Sequence, residues 1–329
     1  MNVKDNSYPV PFNRTWEIVD GSKLKTFATC PRQFFYEYIL GWRRESPNNH
    51  LIFGEAWHEA MEQLLVGGFE KDSVLEAYER FEKKYRETLG PDTDALFSPK
   101  NPSRAFDALV DYVKRYRDEA STLETIETEI AGTVVFDEQF TLHYRMDSVM
   151  RDLSLGTIFS MEHKTGSNAN QVWANQWALA FQIWIYTHVL YCRFTPEEVR
   201  GVMINGIFFR RVKDNSTAMR TDFMRVPCWK SVEQMQAGYE TVLYFLQQLQ
   251  NEYHLLADCN VNDAVLAAFP CNPESCTKYF GCTWHDFCIA WPNPLQRCEK
   301  PPIGFIEEWW DPSEREANVT HHVGGPKDG

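Results

Sequence analysis

The sequence predicts an α/β fold, a mixed β-sheet flanked by helices with helical insertions, on three observations. Apolar positions recur at helical spacing in four stretches before residue 122, three strand-length runs follow between 126 and 163, and a helical stretch then leads into two more strands. Helix, three strands, helix, then strand is the alternation of an α/β protein whose sheet lies between helices.

Each element has its own signal. Residues 22–40 read as a short helix interrupted at Pro31, a residue favoured at helix starts. A helix over 51–66 follows from Leu51, Ile52, Ala56, Ala60, Leu64 and Leu65, and further helices cover 72–88 and 103–121, with Gly90-Pro91 and Asn101-Pro102 as breaks. Strands are expected at 126–136, 139–150 and 157–163, a helix at 170–193, strands at 200–212 and 219–227, and a helix at 231–256. No internal repeat is present. Residues 1–20 read as an N-terminal extension, 21–298 as one domain that includes a cysteine-rich segment at 271–288, and 299–329 as a tail, flexible beyond about 312.

Composition narrows the class. With 329 residues and 43% hydrophobic content the chain can bury one large core or two smaller ones. No basic-plus-apolar leader and no run of about twenty apolar residues occurs, so a soluble, cytoplasmic protein without membrane partners is expected. Nine cysteines in such a setting are thiols or metal ligands rather than disulfides. The net charge of -13 opposes nucleic-acid binding, but its distribution does not. Lys23, Lys25, Arg32, Arg43 and Arg44 face only Glu37 within 21–44. Arg200, Arg210, Arg211, Lys213, Arg220, Arg225 and Lys230 outnumber Asp214 and Asp222 within 200–230.

The chemistry is carried by Glu162-His163-Lys164, fifteen residues after Asp147. Residues two apart in a strand share a face, so Glu162 and Lys164 point one way and Phe159, Met161 and His163 the other. Thr141, His143, Arg145 and Asp147 likewise share one side of the preceding run, so two adjacent strands converge two carboxylates and an amine. Two carboxylates suit a hard divalent cation such as Mg2+ or Mn2+. An isolated Asp with Glu-x-Lys also arises by chance on solvated strands, and its company is what distinguishes this one. His58 lies in the 51–66 helix, and Gln182 and Tyr186, four apart, share a face of a later helix.

Cys271, Cys276, Cys282 and Cys288 form a second constellation, too dense for core filling and suited to an iron-sulfur cluster or zinc. Cys192, Cys228, Cys259 and Cys298 read as isolated cysteines, and His285 as an unassigned ligand candidate.

Taken in order, Ser22-Lys23-Leu24 leading to Cys30-Pro31, Gly54-x-x-x-His58, Asp147, Glu162-x-Lys164-Thr165-Gly166 and Gln182-x-x-x-Tyr186 resemble RecB-like nucleases of the PD-(D/E)XK superfamily, over about residues 21–288. The likeness is to the iron-sulfur branch, with CRISPR-associated and phage recombination nucleases and AddB-type subunits. Two positions depart from that pattern: Tyr144 replaces a glycine three residues before the aspartate, and a compact Cys-x-x-Cys is missing near the carboxyl end. The resemblance implies a restriction-endonuclease-like core for 21–298. It implies a 4Fe-4S cluster on Cys30, Cys276, Cys282 and Cys288, with Cys271 spare; the alternative is a local zinc site completed by Cys271.

The implied activity is metal-dependent DNA hydrolysis, by an exonuclease preferring single strands or ends, in recombination, repair or phage DNA processing, with a recombination or helicase partner. Asp147, Glu162, His58 and the backbone carbonyl of His163 would hold Mg2+ or Mn2+, while Lys164 would orient water or stabilise phosphoryl charge. Gln182 and Tyr186 would position the strand or the lysine. Trp57, Trp173, Trp177 and Trp184 flank this site, and one or two of them would line a single-strand channel. A noncatalytic DNA-binding or scaffold subunit retaining fold and cluster is the rival reading; a hydrolase of RNA is a third.

Overall fold

Pro31 decides how the chain begins to fold. In a computed structural model, α1 (Gly21–Thr29) stops at Cys30, which is extended at φ -161, ψ 110 as the residue before a proline tends to be. α2 (Pro31–Phe34) then runs into a π-type turn over Phe35–Ile39 and β1 (Trp42–Arg44). The structure describes residues 3, 7–212, 215–277, 281–315 and 320–324, with backbone alone at 212, 215–219, 315 and 320. Lys213 and Asp214 of the basic stretch, and parts of the N-terminal extension and expected tail, lie outside the described residues.

Three helices follow: α3 (Asn49–Gly67), α4 (Lys71–Arg86) and α5 (Pro102–Tyr116). Next come β2 (Leu123–Val135), β3 (Thr141–Asp152) and β4 (Thr157–Gly166). The helix expected over 170–193 is two, α6 (Gln171–Asn175) and α7 (Phe181–Arg193). Ala180 is extended between them, and the carbonyl of Ala178, which a continuous helix would use, accepts from Lys230 Nζ instead. After β5 (Val199–Val212), β6 (Asn215–Trp229), α8 (Val232–Asp258) and α9 (His285–Ala290), the segment expected to be a tail supplies β7 (Phe305–Glu307) and β8 (Thr320–Val323). β7 pairs with β1.

The main sheet has the order β6-β5-β4-β3-β2-β8. β4 pairs antiparallel with β3 and parallel with β5, and β5 pairs antiparallel with β6, so the sheet is mixed. Parallel pairing of β4 with β5 requires a long crossover, which α6 and α7 provide.

Two compact units divide the chain. One comprises Pro47–Ala131 and Arg145–Val232. Its core joins α3, α4 and α5 to β5: Phe53, Ala56, Trp57, Ala60, Met61 and Leu64 form the buried stripe of α3 and meet Phe81, Tyr85, Leu109, Tyr112, Ile207 and Phe209. The side chain of Asn48 caps the start of α3 through His50 N, and Gly68, at φ +83, ends it in a conformation that favours glycine. The other unit comprises Met1–Ser46, Gly132–Tyr144 and Glu233–Gly329, and its described core is aromatic. Tyr36 stacks on Trp42 and Trp284, Phe34 stacks on Phe269, and Trp16 on Tyr253. Among the described residues no helix is long and apolar enough to cross a membrane.

Candidate metal centre and active site

All of the expected hydrolytic residues lie in the unit built from 47–131 and 145–232. The β3–β4 register places Ser148 opposite Met161, so Asp147 and Glu162 are neighbours, and the backbone N–H of Asp147 donates to Glu162 Oε1 at 3.2 Å. Asp147 Oδ2 accepts from the His163 backbone N–H at 2.7 Å, and its Oδ1 lies 3.0 Å from His58 Nδ1. His58 reaches the strand because it stands one residue past Trp57, at the margin of the buried stripe of α3.

Glu162 is fully buried yet surrounded by donors. Ser160 Oγ donates to Oε1 at 3.1 Å, while Gln182 Nε2 at 2.9 Å and Lys164 Nζ at 3.4 Å serve Oε2. Gln182 also donates to the Tyr186 hydroxyl, which in turn donates to the backbone carbonyl of Arg145 on β3. The i, i+4 pair on α7 therefore ties the glutamate of β4 to the backbone beside Asp147. Its polar partner is Glu162 rather than Lys164.

One participant was not foreseen in the sequence. Glu129 on β2 brings a carboxylate oxygen within 4.8 Å of ligand atoms of both His58 and Asp147. Its φ is +47, a costly value for a residue with a Cβ, and Arg145 Nε holds its carboxylate at 2.7 Å. Glu127, two residues earlier, turns to Arg193 instead. An acid on the strand beside Asp147 was the available signal, but nothing in the sequence separates Glu129 from Glu127.

His163 points to the opposite face from Glu162, as strand alternation requires. Its buried ring bonds Asn205 through Nδ1 at 2.8 Å, and Asn205 bonds the Tyr112 hydroxyl at 3.0 Å. Of the four tryptophans expected near the site, Trp57 is wholly buried in the helical core and Trp184 is buried on α7, so neither lines a channel. Trp173 and Trp177 are partly exposed, and Lys164 Nζ lies 6.0 Å from the Trp177 ring centroid.

The electrostatics are those of crowded carboxylates. Burial, then the charge of Asp147, pushes Glu162 up to about 8. Burial and Asp147 also raise Glu129. Burial opposes ionisation of Asp147 as well, but the charge and hydrogen bond of His58, with Lys164, outweigh it and hold the carboxyl well below the usual range. Burial disfavours the charged forms of His58 and Lys164, yet Asp147 and Glu162 respectively more than compensate, so both are raised. Lys164 is accordingly an ammonium, not a base. A divalent cation fits this donor set: one imidazole and two carboxylates already converge, and burial beside Asp147 disfavours ionisation of a third carboxylate, which added positive charge would relieve.

A pH dependence follows. Between the ordinary carboxyl value of 4.5 and about 8, the folded protein holds a proton on Glu162 that the unfolded chain has lost. His58, raised above 6.5, retains its proton in the same sense. Metal-free stability is therefore lost as pH rises through that window. A bound cation displaces both protons, so Mn2+ should raise the melting temperature more at pH 9 than at pH 6, with proton uptake by buffer on titration. Thermal shifts equal at the two pH values would remove Glu162 and His58 from the ligand set.

The cysteines belong to the other unit. Cys30, at the α1–α2 corner, is buried, and its Sγ accepts from Asn272 N at 3.3 Å, while Asn272 Nδ2 donates to Thr29 O. Arg32 fastens the same corner to the carboxyl segment through Phe269 O and Leu266 O. Cys282 N donates to Cys276 O. Burial, against the opposing charge of Arg32 and aided by the thiols of Cys30, Cys271 and Cys282, pushes Cys288 up to about 12.

The sequence profile of the PD-(D/E)XK nuclease superfamily matches residues 21–289. Among solved structures, a "Putative exonuclease" from Eubacterium rectale is similar at 12% identity and a TM-score of 0.42, covering 76% of this chain and 87% of that one. SSO0001 is similar at 12% identity and a TM-score of 0.23, covering 54% of this chain and 74% of the other. No curated protein matches the chain.

Proposed function

The chain belongs to the PD-(D/E)XK nuclease superfamily, and from that premise we propose that it is a Mg2+- or Mn2+-dependent DNA exonuclease preferring free ends of single strands. Recombination, repair or phage DNA processing is the setting that suits such an activity, alongside a recombination or helicase partner. The observation that carries the reading is the convergence of His58, Glu129 and Asp147 beside Glu162 and Lys164.

His58, Glu129 and Asp147 would hold the cation, with Glu162 and the carbonyl of His163 completing the set. A bound divalent ion supplies Lewis acidity and lowers the pKa of coordinated water. Lys164 places a fixed ammonium where charge accumulates on the phosphoryl oxygens. Gln182 and Tyr186 are positioning residues: Gln182 holds the Glu162 carboxylate, and Tyr186 holds the Arg145 carbonyl.

In the other unit, Cys30, Cys276, Cys282 and Cys288 would hold a 4Fe-4S cluster. The approach of Cys30 to the carboxyl cysteines supports this.

Digestion of single- and double-stranded DNA and RNA, each with free or blocked ends, tests the proposal. Mg2+, Mn2+ and chelator are compared in each case. Cleavage of single-stranded DNA from free ends with a divalent ion is expected. Equal cutting of circular and linear strands removes the exonuclease assignment; no cutting of any strand favours a noncatalytic subunit.

A further inference from the structure

Between Glu162 and Glu197 the chain carries no acidic residue, although acids occur about once in seven positions overall. This acid-free stretch contains Lys164, the crossover α6–α7, and the neutral hydrogen-bonding side chains Asn168, Asn170, Gln171, Asn175 and Gln176. In a protein of net charge -13, a stretch without carboxylates beside a reactive ammonium is suited to a polyanion.

The same stretch builds an aromatic platform. Trp173 packs edge-on against Phe208 of β5 at 4.6 Å and against Trp177 at 5.4 Å. Two glycines make this seat. A Cβ at Gly206 would stand 2.4 Å from the Trp173 ring, and one at Gly166 would stand 2.8 Å from Phe208. The rings thus lie against the carboxyl ends of the parallel pair β4–β5, the end of an α/β sheet where ligands bind. Trp177 is partly exposed, its ring faces Lys164 Nζ at 6.0 Å, and its indole N–H is buried. A partly exposed π-system and a cation one ring-width away match a nucleotide: base on the ring, phosphate oxygens on the ammonium.

We propose that Trp177, seated by Trp173, stacks on an unpaired base next to the scissile phosphate and so selects single-stranded nucleic acid. The inference rests on the nucleolytic reading and specifies its substrate. A base paired inside a duplex hides its face in the stack, and the ring gains nothing from it. A base that is unpaired offers that face at no unstacking cost beyond its own neighbours.

The test uses the full chain and labelled single strands carrying one abasic site, walked inward from the end. For the parent, KM is expected to rise about 10-fold or more when the abasic site reaches one particular register. Trp177→Leu, which fills the space without a π-face, should show the same rise on intact strands and no further rise at that register. Trp177→Phe should restore part of the discrimination, and loss of circular dichroism in either variant is checked first. If the Leu variant senses the abasic site as the parent does, the stacking role is overturned while the nuclease reading stands. A parent that cleaves no strand overturns both.

Discussion

Asp147→Asn is expected to lower phosphodiester cleavage by roughly 1000-fold or more, because the cation loses a charged ligand and the reaction its Lewis acid. Asparagine is the informative replacement: it keeps an acceptor for the His163 N–H and removes one charge from a crowd that includes Glu129 and Glu162. The variant should therefore fold as the parent does but melt lower without metal, because the ion pair with His58 that keeps the Asp147 carboxyl ionised is lost. Lys164→Ala should cost roughly 100- to 1000-fold, the scale of one preorganised electrostatic group. Glu129→Gln should act differently, raising the Mn2+ concentration for half-maximal rate by about 10-fold or more while high Mn2+ restores turnover. His58→Ala should lie between parent and Asp147→Asn, since water can replace one ligand. Asp147→Asn and Lys164→Ala variants that cut at the parental rate would refute the assignment, and an unchanged Mn2+ requirement in Glu129→Gln would leave that glutamate outside the ligand set.

Cys30→Ala is expected to bleach the protein and destabilise the unit formed by the two chain ends. A cluster on Cys30, Cys276, Cys282 and Cys288 ties residue 30 to residue 276, and closing so long a loop restricts the unfolded chain strongly. By analogy with other crosslinks the effect is about 4 kcal/mol, or on the order of 10 °C in melting temperature for a chain of this size. Anaerobically purified parent should be brown and carry iron and sulfide; Cys30→Ala should be pale and aggregate sooner, and Cys271→Ala should keep its colour. Hydrolysis need not vanish with the colour, because the hydrolytic ligands lie in the other unit. Colourless parent with stoichiometric zinc, indifferent to Cys30→Ala and disrupted by Cys271→Ala, would replace the cluster with a local zinc site.

Much of the candidate site is legible in local sequence because its geometry is local. Alternation of period two puts Glu162 and Lys164 on one face of β4 and His163 on the other, and a helical repeat aligns Gln182 with Tyr186. These are consequences of backbone geometry that any chain obeys. The same reasoning located β2 to β6 and most helices but not β1, β7 or β8, and the extended Cys30 follows from Pro31.

Contacts between distant segments could not be read in this way. That Glu129 rather than Glu127 joins His58 and Asp147 depends on a positive φ that breaks the alternation of β2, a strain that the surrounding packing must hold in place. That Gln182 serves Glu162 rather than Lys164 depends on how α7 lies against β4. The break between α6 and α7 depends on Lys230, more than fifty residues on, taking the Ala178 carbonyl. Trp57 and Trp177 are alike as residues; one is sealed in the helical core and the other lies beside Lys164. Residue type and periodicity determined which chemical groups the protein possesses and which face of its own element each one occupies. Only the tertiary structure decided which groups from different elements meet, because side-chain partners across the fold are selected by packing and burial, which no local repeat encodes.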